Sequence, residues 1–339
     1  MSYLTIDLAF FELYNGHKRG GDIMQAFYAM FQIVLLFVAL LIPGYILGRM
    51  KLMESAAMVS FSNVLMYIAM PALVLSKLMN MDVDSIGVWE LVISAVLPIL
   101  LVFVLLLICR LCKNSDVTRH RAIEFCAVFP NCGFLGIPLA AAMWPQSSCI
   151  VLYVSVFNVV STFLLLTVGV YVLSGDKKEI HLKKTLISPI FFAIVIGVAC
   201  AVFGVCDHMT AVLDYSTMLA QLTTPLAMIA AGYELSRLHF IKMWKSAGIY
   251  VTSFIKLIVA PLITLGALCL LKFVFGVGIS WELAMAMLVA TAVSTAASAP
   301  SMAKKYGADS EYAATLTLSG TLLCVITLPL MYLLFDLVF

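Results

Sequence analysis

Charged residues are scarce in this chain. Asp, Glu, Lys and Arg together make up 11% of its 339 residues, whereas hydrophobic residues make up 63%. Soluble domains are usually about 45–50% apolar, so this composition excludes a soluble globular domain. The formal net charge of +2 also gives no signature of a nucleic-acid-binding protein. The chain is therefore predicted to be a polytopic membrane protein.

Motifs of catalysis and metal binding are missing as well. The sequence has no HExxH, no GxSxG and no phosphate-binding loop, and its five histidines are scattered through predicted loops and span ends. Its nine cysteines are odd in number, and most lie inside apolar runs, which is typical of small packing residues and not of a disulfide framework. The sequence thus predicts no enzyme, no cofactor and no metal site.

What the chain does have is ten apolar runs, each long enough to cross about 30 Å of hydrocarbon. Their approximate bounds are Phe27 to Gly48, Met58 to Leu78, Val88 to Leu111, Ala122 to Trp144, Ile150 to Leu173, Leu186 to Val205, Val212 to Leu235, Ala247 to Phe275, Leu283 to Met302 and Ala313 to Val338. Residues 1–26 are interpreted as an uncleaved extension that forms an interfacial helix, because the positive charges follow the apolar part instead of preceding it. The basic loop 174–185 separates a first half, 27–173, from a second half, 186–339.

The loop charges test this span count. Of the 20 Lys and Arg residues, 15 fall in connections on one side of the predicted membrane. They are Arg49, Lys51, Arg110, Lys113, Arg119, Arg121, Lys177, Lys178, Lys183, Lys184, Arg237, Lys242, Lys245, Lys304 and Lys305. A wrong count would scatter these charges, so the positive-inside rule predicts a multi-pass protein of the plasma membrane with both termini outside.

Proline positions indicate an internal repeat. Five spans in each half require the halves to be inverted relative to one another. Three pairs of prolines match in order between the halves: Pro71 with Pro225, Pro98 with Pro261, and Pro138 with Pro300. Each pair alone could be a simple helix kink, but the matched order favours a 5+5 inverted repeat.

Two of the spans are predicted to be broken. The fourth contains FPNCGFLGIPL from Phe129 to Leu139, where prolines remove backbone donors and glycines weaken the helix. The ninth contains the small, polar run that ends at Pro300. Broken helices at membrane depth are where transporters place their substrate sites. The candidate substrate contacts are Asn131, Cys132, Gly133, Gly136, Pro138, Asn158, Ser294, Thr295, Ser298 and Pro300, and the candidate hinges are Pro71, Pro130, Pro225 and Pro261.

The chemistry of these breaks favours an anion. Each broken helix exposes a half-helix N-terminus that carries roughly half a positive charge. Gly133 and Gly136 let a carboxylate approach the backbone, and Asn131 adds an amide donor. Neither break contains an acidic residue, which argues against a sodium site and leaves proton coupling open.

Lys256 lies about ten residues into the eighth span, near the middle of the membrane. An intramembrane lysine is costly unless it is paired or hydrated. Our hypothesis is that its ammonium lies beside the crossing of the two breaks, compensates the negative half-helix C-termini and takes the place of a coupling cation. The alternative is a purely structural cation.

The run FPNCGFLGIPL, with Pro300 to Asp309 and Thr321 to Leu330, resembles the auxin efflux carrier family of PIN-like transporters and indicates a prokaryotic member. The resemblance extends from about Phe27 over nearly all of the chain. It implies an all-α fold of the sodium/proton-antiporter-like, elevator type. A scaffold domain would comprise spans one, two, six and seven, and a transport domain the other six. It also implies a homodimer through the scaffold spans.

The resemblance further implies an organic anion substrate, such as malate, malonate or an aromatic acid like auxin, with Asn131 in contact with its carboxylate. Relatives place another proline where this chain has Ser294 and Thr295, which predicts either a less unwound second break or a differently shaped acid. Two other functions stay open: a cation- or proton-coupled symporter or antiporter of the bile-acid-symporter-like fold, and a membrane receptor.

Overall fold

The computed structural model describes residues 23–53, 55–79, 81–83, 86–111, 116–179, 189–204, 209–236 and 246–339. The predicted interfacial helix falls almost wholly outside the described residues. The same holds for residues 180–188, which contain the end of the predicted basic loop and the start of the predicted sixth span. Those predictions remain untested.

Helices account for nearly all of the described first half. They are α1 (Ile23–Arg49), α2 (Ser55–Val64), α3 (Met70–Met79), α4 (Val88–Leu111), α5 (Val117–Val128), α6 (Ile137–Met143), α7 (Ser148–Leu164) and α8 (Val170–Ser174). Three five-residue π-helical turns join some of these pieces: Leu65–Ala69, Cys132–Gly136 and Leu165–Gly169. A short 3-10 turn, Lys177–Glu179, follows α8.

The described second half is built in the same way. Its helices are α9 (Pro189–Val202), α10 (Thr210–Ala220), α11 (Thr223–Ser236), α12 (Ala247–Phe254), α13 (Ala260–Cys269), α14 (Trp281–Ala292), α15 (Ala299–Lys305) and α16 (Ser310–Val338). Two more π-helical turns are Ile255–Val259 and Leu270–Val274. The protein is thus helical throughout the parts that the structure describes.

Five helical stretches are long and apolar enough to cross a membrane. They are Ser60–Met79, Val88–Leu111, Ser148–Ser174, Ala247–Val274 and Ser310–Val338. Shorter apolar helices lie at Ala39–Arg49, Cys132–Met143, Pro189–Val202 and Trp281–Ala292. This is the architecture of a multi-pass membrane protein, and the number of crossings remains a prediction.

Two of the predicted hinge prolines do not interrupt their helices. Pro71 and Pro261 are each the second residue after a π-helical turn, and the chain stays helical on both sides. A proline has no N–H to donate, and its ring crowds the carbonyl one turn earlier. The wider π turn before each proline absorbs this misfit locally, so the helix is not broken at these two positions, and their role as hinges stays a prediction.

The seventh span, in contrast, is interrupted. Within the predicted span Val212 to Leu235, which contains the candidate hinge Pro225, α10 ends at Ala220 and α11 begins at Thr223. Pro225 lies in the first turn of α11. Backbone N–H groups in the first turn have no intrahelical acceptor, so a proline there costs the helix no hydrogen bond. Spans four and nine are therefore not the only interrupted ones.

Helix packing divides the described helices into two groups. In one group α1 packs along α11, and α3 packs against α9 and α10. A Cβ atom on Gly44 would overlap the carbonyl oxygen of Ile229, and one on Gly232 would overlap that of Leu41. The α1 and α11 backbones thus touch, as small residues allow in membrane helices. In the other group α4 and α14 pack on α7, and α12 and α14 pack on α16.

Candidate functional site

The two predicted breaks meet. The first break, residues 129–131, separates α5 from the turn that leads into α6, and the second, residues 293–298, separates α14 from α15. The Asn131 N–H donates to the Ser294 carbonyl over 2.7 Å, and the Ala296 N–H donates to the Phe129 carbonyl over 2.9 Å. Pro130 and Thr295 thereby form an antiparallel bridge. Each break thus supplies hydrogen-bond partners for backbone groups of the other break that have no partner within their own helix.

The second break is the longer one. It leaves six residues outside regular helix, against three in the first break. The second break is thus unwound although it lacks the proline that relatives carry there, and a differently shaped acid stays a prediction. Hydrogen bonds to the first break replace the missing helical bonds, so no proline is needed to keep Ser294 and Thr295 extended.

The C-terminus of α5 is closed by a neutral group from the second break. The Thr295 Oγ1 hydroxyl donates to the Cys126 carbonyl over 2.7 Å, and Thr295 is only 1% exposed. Carbonyls at the end of a helix have no intrahelical partner, so this hydroxyl satisfies one that would otherwise be buried without a donor.

The C-terminus of α14 is closed by a charged group from another span. The Lys256 Nζ atom donates to the Thr291 carbonyl over 3.2 Å, and Lys256 is 2% exposed. The Cys324 thiol lies 3.5 Å from the Ala292 carbonyl. A cation is favourable at a helix C-terminus, so the structure places Lys256 beside the second break in the arrangement that charge compensation requires.

A small cavity adjoins this lysine. It has room for about one water molecule. Its polar lining comes from Lys256, Thr291 and Ser161, and Pro130 of the first break also lines it. The cavity therefore links the lysine to the first break and to the end of α14.

The predicted substrate contacts differ in their accessibility. Asn131, Gly133, Ser298 and Pro300 are partly exposed, and Ala297, just before Ser298, is exposed. The others are buried: Cys132, Gly136, Pro138, Asn158, Ser294 and Thr295. The partly exposed set lies where the helices resume after each break, which is the part of the crossing that a ligand can reach.

Two asparagines lie near Gly133: Asn131 precedes its turn, and Asn158 approaches it from α7. The Asn131 side chain makes no capping hydrogen bond at the start of the Cys132–Gly136 turn, so its amide remains available. A Cβ atom added to Gly133 would lie 3.2 Å from the Asn158 Oδ1 atom. The glycine thus gives the Asn158 amide room against the first break, and the structure brings this predicted residue of the fifth span to the crossing.

Two buried candidates are engaged inside the protein. The Ser294 hydroxyl accepts from Thr321 over 3.1 Å, and the Cys132 thiol lies 3.7 Å from the Val154 carbonyl. Thr321 in α16 was missed by sequence reasoning, as was Thr291. Polar residues in an otherwise apolar span were the available signal.

Glu90 is a further residue that sequence reasoning missed. It is 7% exposed and lies in the first turn of α4. Its Oε2 atom accepts from the Tyr153 hydroxyl over 2.6 Å, and its Oε1 atom accepts from the Ser280 N–H over 2.7 Å. Ser280 is the N-cap of α14, so this carboxylate reaches the opposite end of the helix that Lys256 closes.

A comparison with protein-family models agrees with this architecture. A model described as a membrane transport protein matches residues 28–332, which is most of the chain. Comparison with individual curated proteins gives no match. The matched model is that of the PIN-like auxin efflux carriers, whose members are transporters. With its broken, crossing helices and its apolar composition, the chain belongs to the membrane transport protein family of auxin efflux carriers.

Proposed function

We propose that this membrane transporter carries a small organic anion, and that the anion binds at the crossing of the two breaks. The observation that carries the proposal is the antiparallel pairing of Asn131 with Ser294, beside a buried lysine. The substrate would be a carboxylate such as malate, malonate or an aromatic acid like auxin.

Electrostatics at the crossing support an anion. A helix resumes after Asn131, and its first N–H groups have no intrahelical acceptor. At the helix after Ser298 fewer donors are free, because the Ala299 N–H donates to the Ala296 carbonyl and Pro300 has no N–H. The free N–H groups and the Asn131 amide are donors that a carboxylate can use. Neither break contains an acidic residue, and the nearby ammonium of Lys256 adds positive charge. Gly133 permits close approach of the ligand to the backbone.

The same geometry supports ten spans in a 5+5 inverted repeat, 27–173 and 186–339. An inversion exchanges spans one and six, and spans two and seven. The observed packing of span one on span seven therefore maps onto that of span six on span two.

A tyrosine contact in the first half has a counterpart in the second half that fits the same inversion. Tyr153, near the start of span five, accepts from the Gly87 N–H just before span three. Tyr312, near the start of span ten, shares a 2.7 Å hydrogen bond with Ser246 just before span eight. The inversion exchanges span three with eight and span five with ten, so the two tyrosines occupy equivalent places at opposite ends of the bundle.

The mechanism we propose is an elevator movement. Spans one, two, six and seven would form the scaffold domain, and the remaining six would form the transport domain that carries the crossing. The most extensive helix contacts lie within each group, which supports the division, and α3 and α9 contact α7 where the groups meet. Loop charges support termini outside the plasma membrane. Apolar side chains left exposed on the scaffold spans, such as Leu35, Leu36 and Tyr67, offer surface to lipid or to a second copy in a homodimer.

A thermal-shift screen of the purified protein against mono- and dicarboxylates tests the anion proposal. A ligand that binds only the folded state stabilises it by about 2.7 kcal/mol at a hundredfold excess over Kd. We expect one carboxylate to stabilise the wild type, and we expect Asn131→Ala to abolish the shift. Asn63→Ala is the matched control, because Asn63 is an exposed asparagine of α2 outside the crossing.

Two results would count against the proposal. If amines or neutral solutes stabilise the protein while no carboxylate does, the substrate is not an anion. If a carboxylate stabilises wild type and Asn131→Ala equally, the anion binds elsewhere.

A further inference from the structure

Helix α14 is the most completely enclosed helix at the crossing. Every residue from Leu283 to Ala292 is 1% exposed or less. Its 12 residues extend over about 18 Å, from the outer end of the bundle to the second break. Its C-terminus is closed to water and its N-terminal residues Ser280, Trp281 and Glu282 are only partly exposed, so protein groups have to compensate much of the partial charge at its ends.

The two ends receive opposite charges from two other spans. At the N-terminus Glu90 of α4 binds the N–H of the N-cap residue Ser280 over 2.7 Å. At the C-terminus Lys256 binds the Thr291 carbonyl over 3.2 Å. Both signs are the favourable ones for a helix dipole. Glu90 and Lys256 thus lie at opposite ends of one buried helix, and neither is contributed by that helix.

Glu90 takes the place of a residue that α14 lacks. In a capping box, the third residue of a helix is a glutamate that reaches back to the N-cap N–H. Here the third residue is Leu283, and its N–H donates to the Ser280 hydroxyl over 3.1 Å. Glu90 supplies the missing half of the box from a different helix.

The carboxylate is itself held firmly. Tyr153 is fully buried and donates its hydroxyl to Glu90 over 2.6 Å. A Cβ atom added to Gly87 would lie 2.8 Å from Glu90 side-chain atoms, so a glycine is needed beside it. Both carboxylate oxygens accept a hydrogen bond, which is the arrangement an ionised carboxylate makes.

We propose that Glu90 is a positioning residue for the crossing: with Lys256 it forms a buried charge pair across α14, and the pair holds the second break against the first. Glu282 also lies in the first turn of α14, but Glu90 is the carboxylate that binds the N-cap N–H at the end opposite the lysine. This inference rests on the proposed anion site for one of its two readouts.

The first readout needs no ligand. Thermal unfolding of the full chain is measured for wild type, Glu90→Gln, Lys256→Met and the double variant. Gln keeps the shape of Glu90 and removes its charge, and its amide keeps one acceptor oxygen of the two that the carboxylate uses. We expect the double variant to unfold about 2–4 °C above the value that the two single shifts predict by addition. Glu282→Gln is the matched control, because Glu282 lies in the first turn of the same helix, and its effect should add to that of Lys256→Met.

The second readout separates positioning from mere stabilisation. The Kd of the stabilising carboxylate should rise about threefold or more in Glu90→Gln and stay unchanged in Glu282→Gln. Additive shifts in the cycle, or an unchanged Kd in Glu90→Gln, would overturn the proposal. If no carboxylate binds the wild type, the proposed function fails, and the cycle alone decides this inference.

Loss of folding is also informative. If Glu90→Gln does not fold but the double variant does, removal of the opposite charge rescues the protein and the pair is supported. If neither folds, the same cycle is run with Tyr153→Phe in place of Glu90→Gln. If the unfolding shifts of Tyr153→Phe and Lys256→Met add in the double variant, the proposal is overturned. If the double variant deviates from that sum, the charge pair is supported.

Discussion

The half-helices α5 and α14 both end at the crossing, and they are stabilised by different means. The N-terminus of α5 is capped by Asp116, the residue just before it, whose carboxylate accepts from the Thr118 N–H over 2.9 Å. The α14 N-terminus depends on Glu90, which is 190 residues away from Ser280. At the crossing, α5 ends on the neutral Thr295 hydroxyl and α14 ends on the Lys256 ammonium.

Exposure explains this difference. The first residues of α5 are exposed, so a local carboxylate and solvent suffice there. The C-terminus of α14 is enclosed and its N-terminus is only partly exposed, and the groups that bind its two ends come from other helices. The comparison indicates that the two halves share a geometry but differ in charge, and that the positive charge at the crossing belongs to the second half.

The largest expected effect is on ligand binding by Lys256→Met. Removal of the ammonium from the crossing should weaken carboxylate binding by about tenfold or more, equivalent to about 1.4 kcal/mol, because no other described cation contacts either break. Thermal-shift titration measures this change. Lys272→Met is the control, since Lys272 lies over the Phe339 ring at the far end of span eight. A Lys256→Met variant that folds and transports normally would remove this lysine from the mechanism.

Thr295→Val should have an intermediate effect, on stability. It removes the donor from the buried Cys126 carbonyl at almost constant side-chain size, and an unsatisfied buried acceptor costs about 1–3 kcal/mol. Equilibrium or thermal unfolding measures the loss. Thr315→Val removes a comparable hydroxyl bond at the surface and should change stability much less. Equal effects of the two valine substitutions would show that the neutral closure of α5 contributes nothing special.

The smallest expected effect concerns Asp116. A hydrogen bond from the Thr118 hydroxyl, followed by one from the Arg119 N–H, lowers the pKa of this carboxyl below its ordinary value of 3.8. A lowered folded-state pKa gives stability that is present above the ordinary value and is lost as pH falls through the folded value. The unfolding midpoints of wild type and Asp116→Asn should therefore differ slightly near neutral pH and converge below pH 3.8. A difference that persists in acid would mean that the charge is not its source.

Much of the fold was predictable because it depends on composition along the chain. The helix Val88–Leu111 has the bounds that its apolar run predicts, and the breaks fall where proline, glycine and small polar residues cluster. The central position of Lys256 followed from counting residues in its span. Asn158 was also predicted at the site, but its place against Gly133 follows from the packing of α7.

The sequence by itself therefore determined an all-helical membrane protein with breaks in spans four and nine, a lysine near the middle of its eighth apolar run and membership in a transporter family. Only the tertiary structure decided that the breaks pair through Asn131 and Ser294, that the second break is the longer, and that Thr295 closes α5. It also decided that Glu90 reaches α14. The physical reason is that hydropathy and helix breakers act locally. The partner of a buried polar group is chosen by which helices pack together, often more than a hundred residues apart.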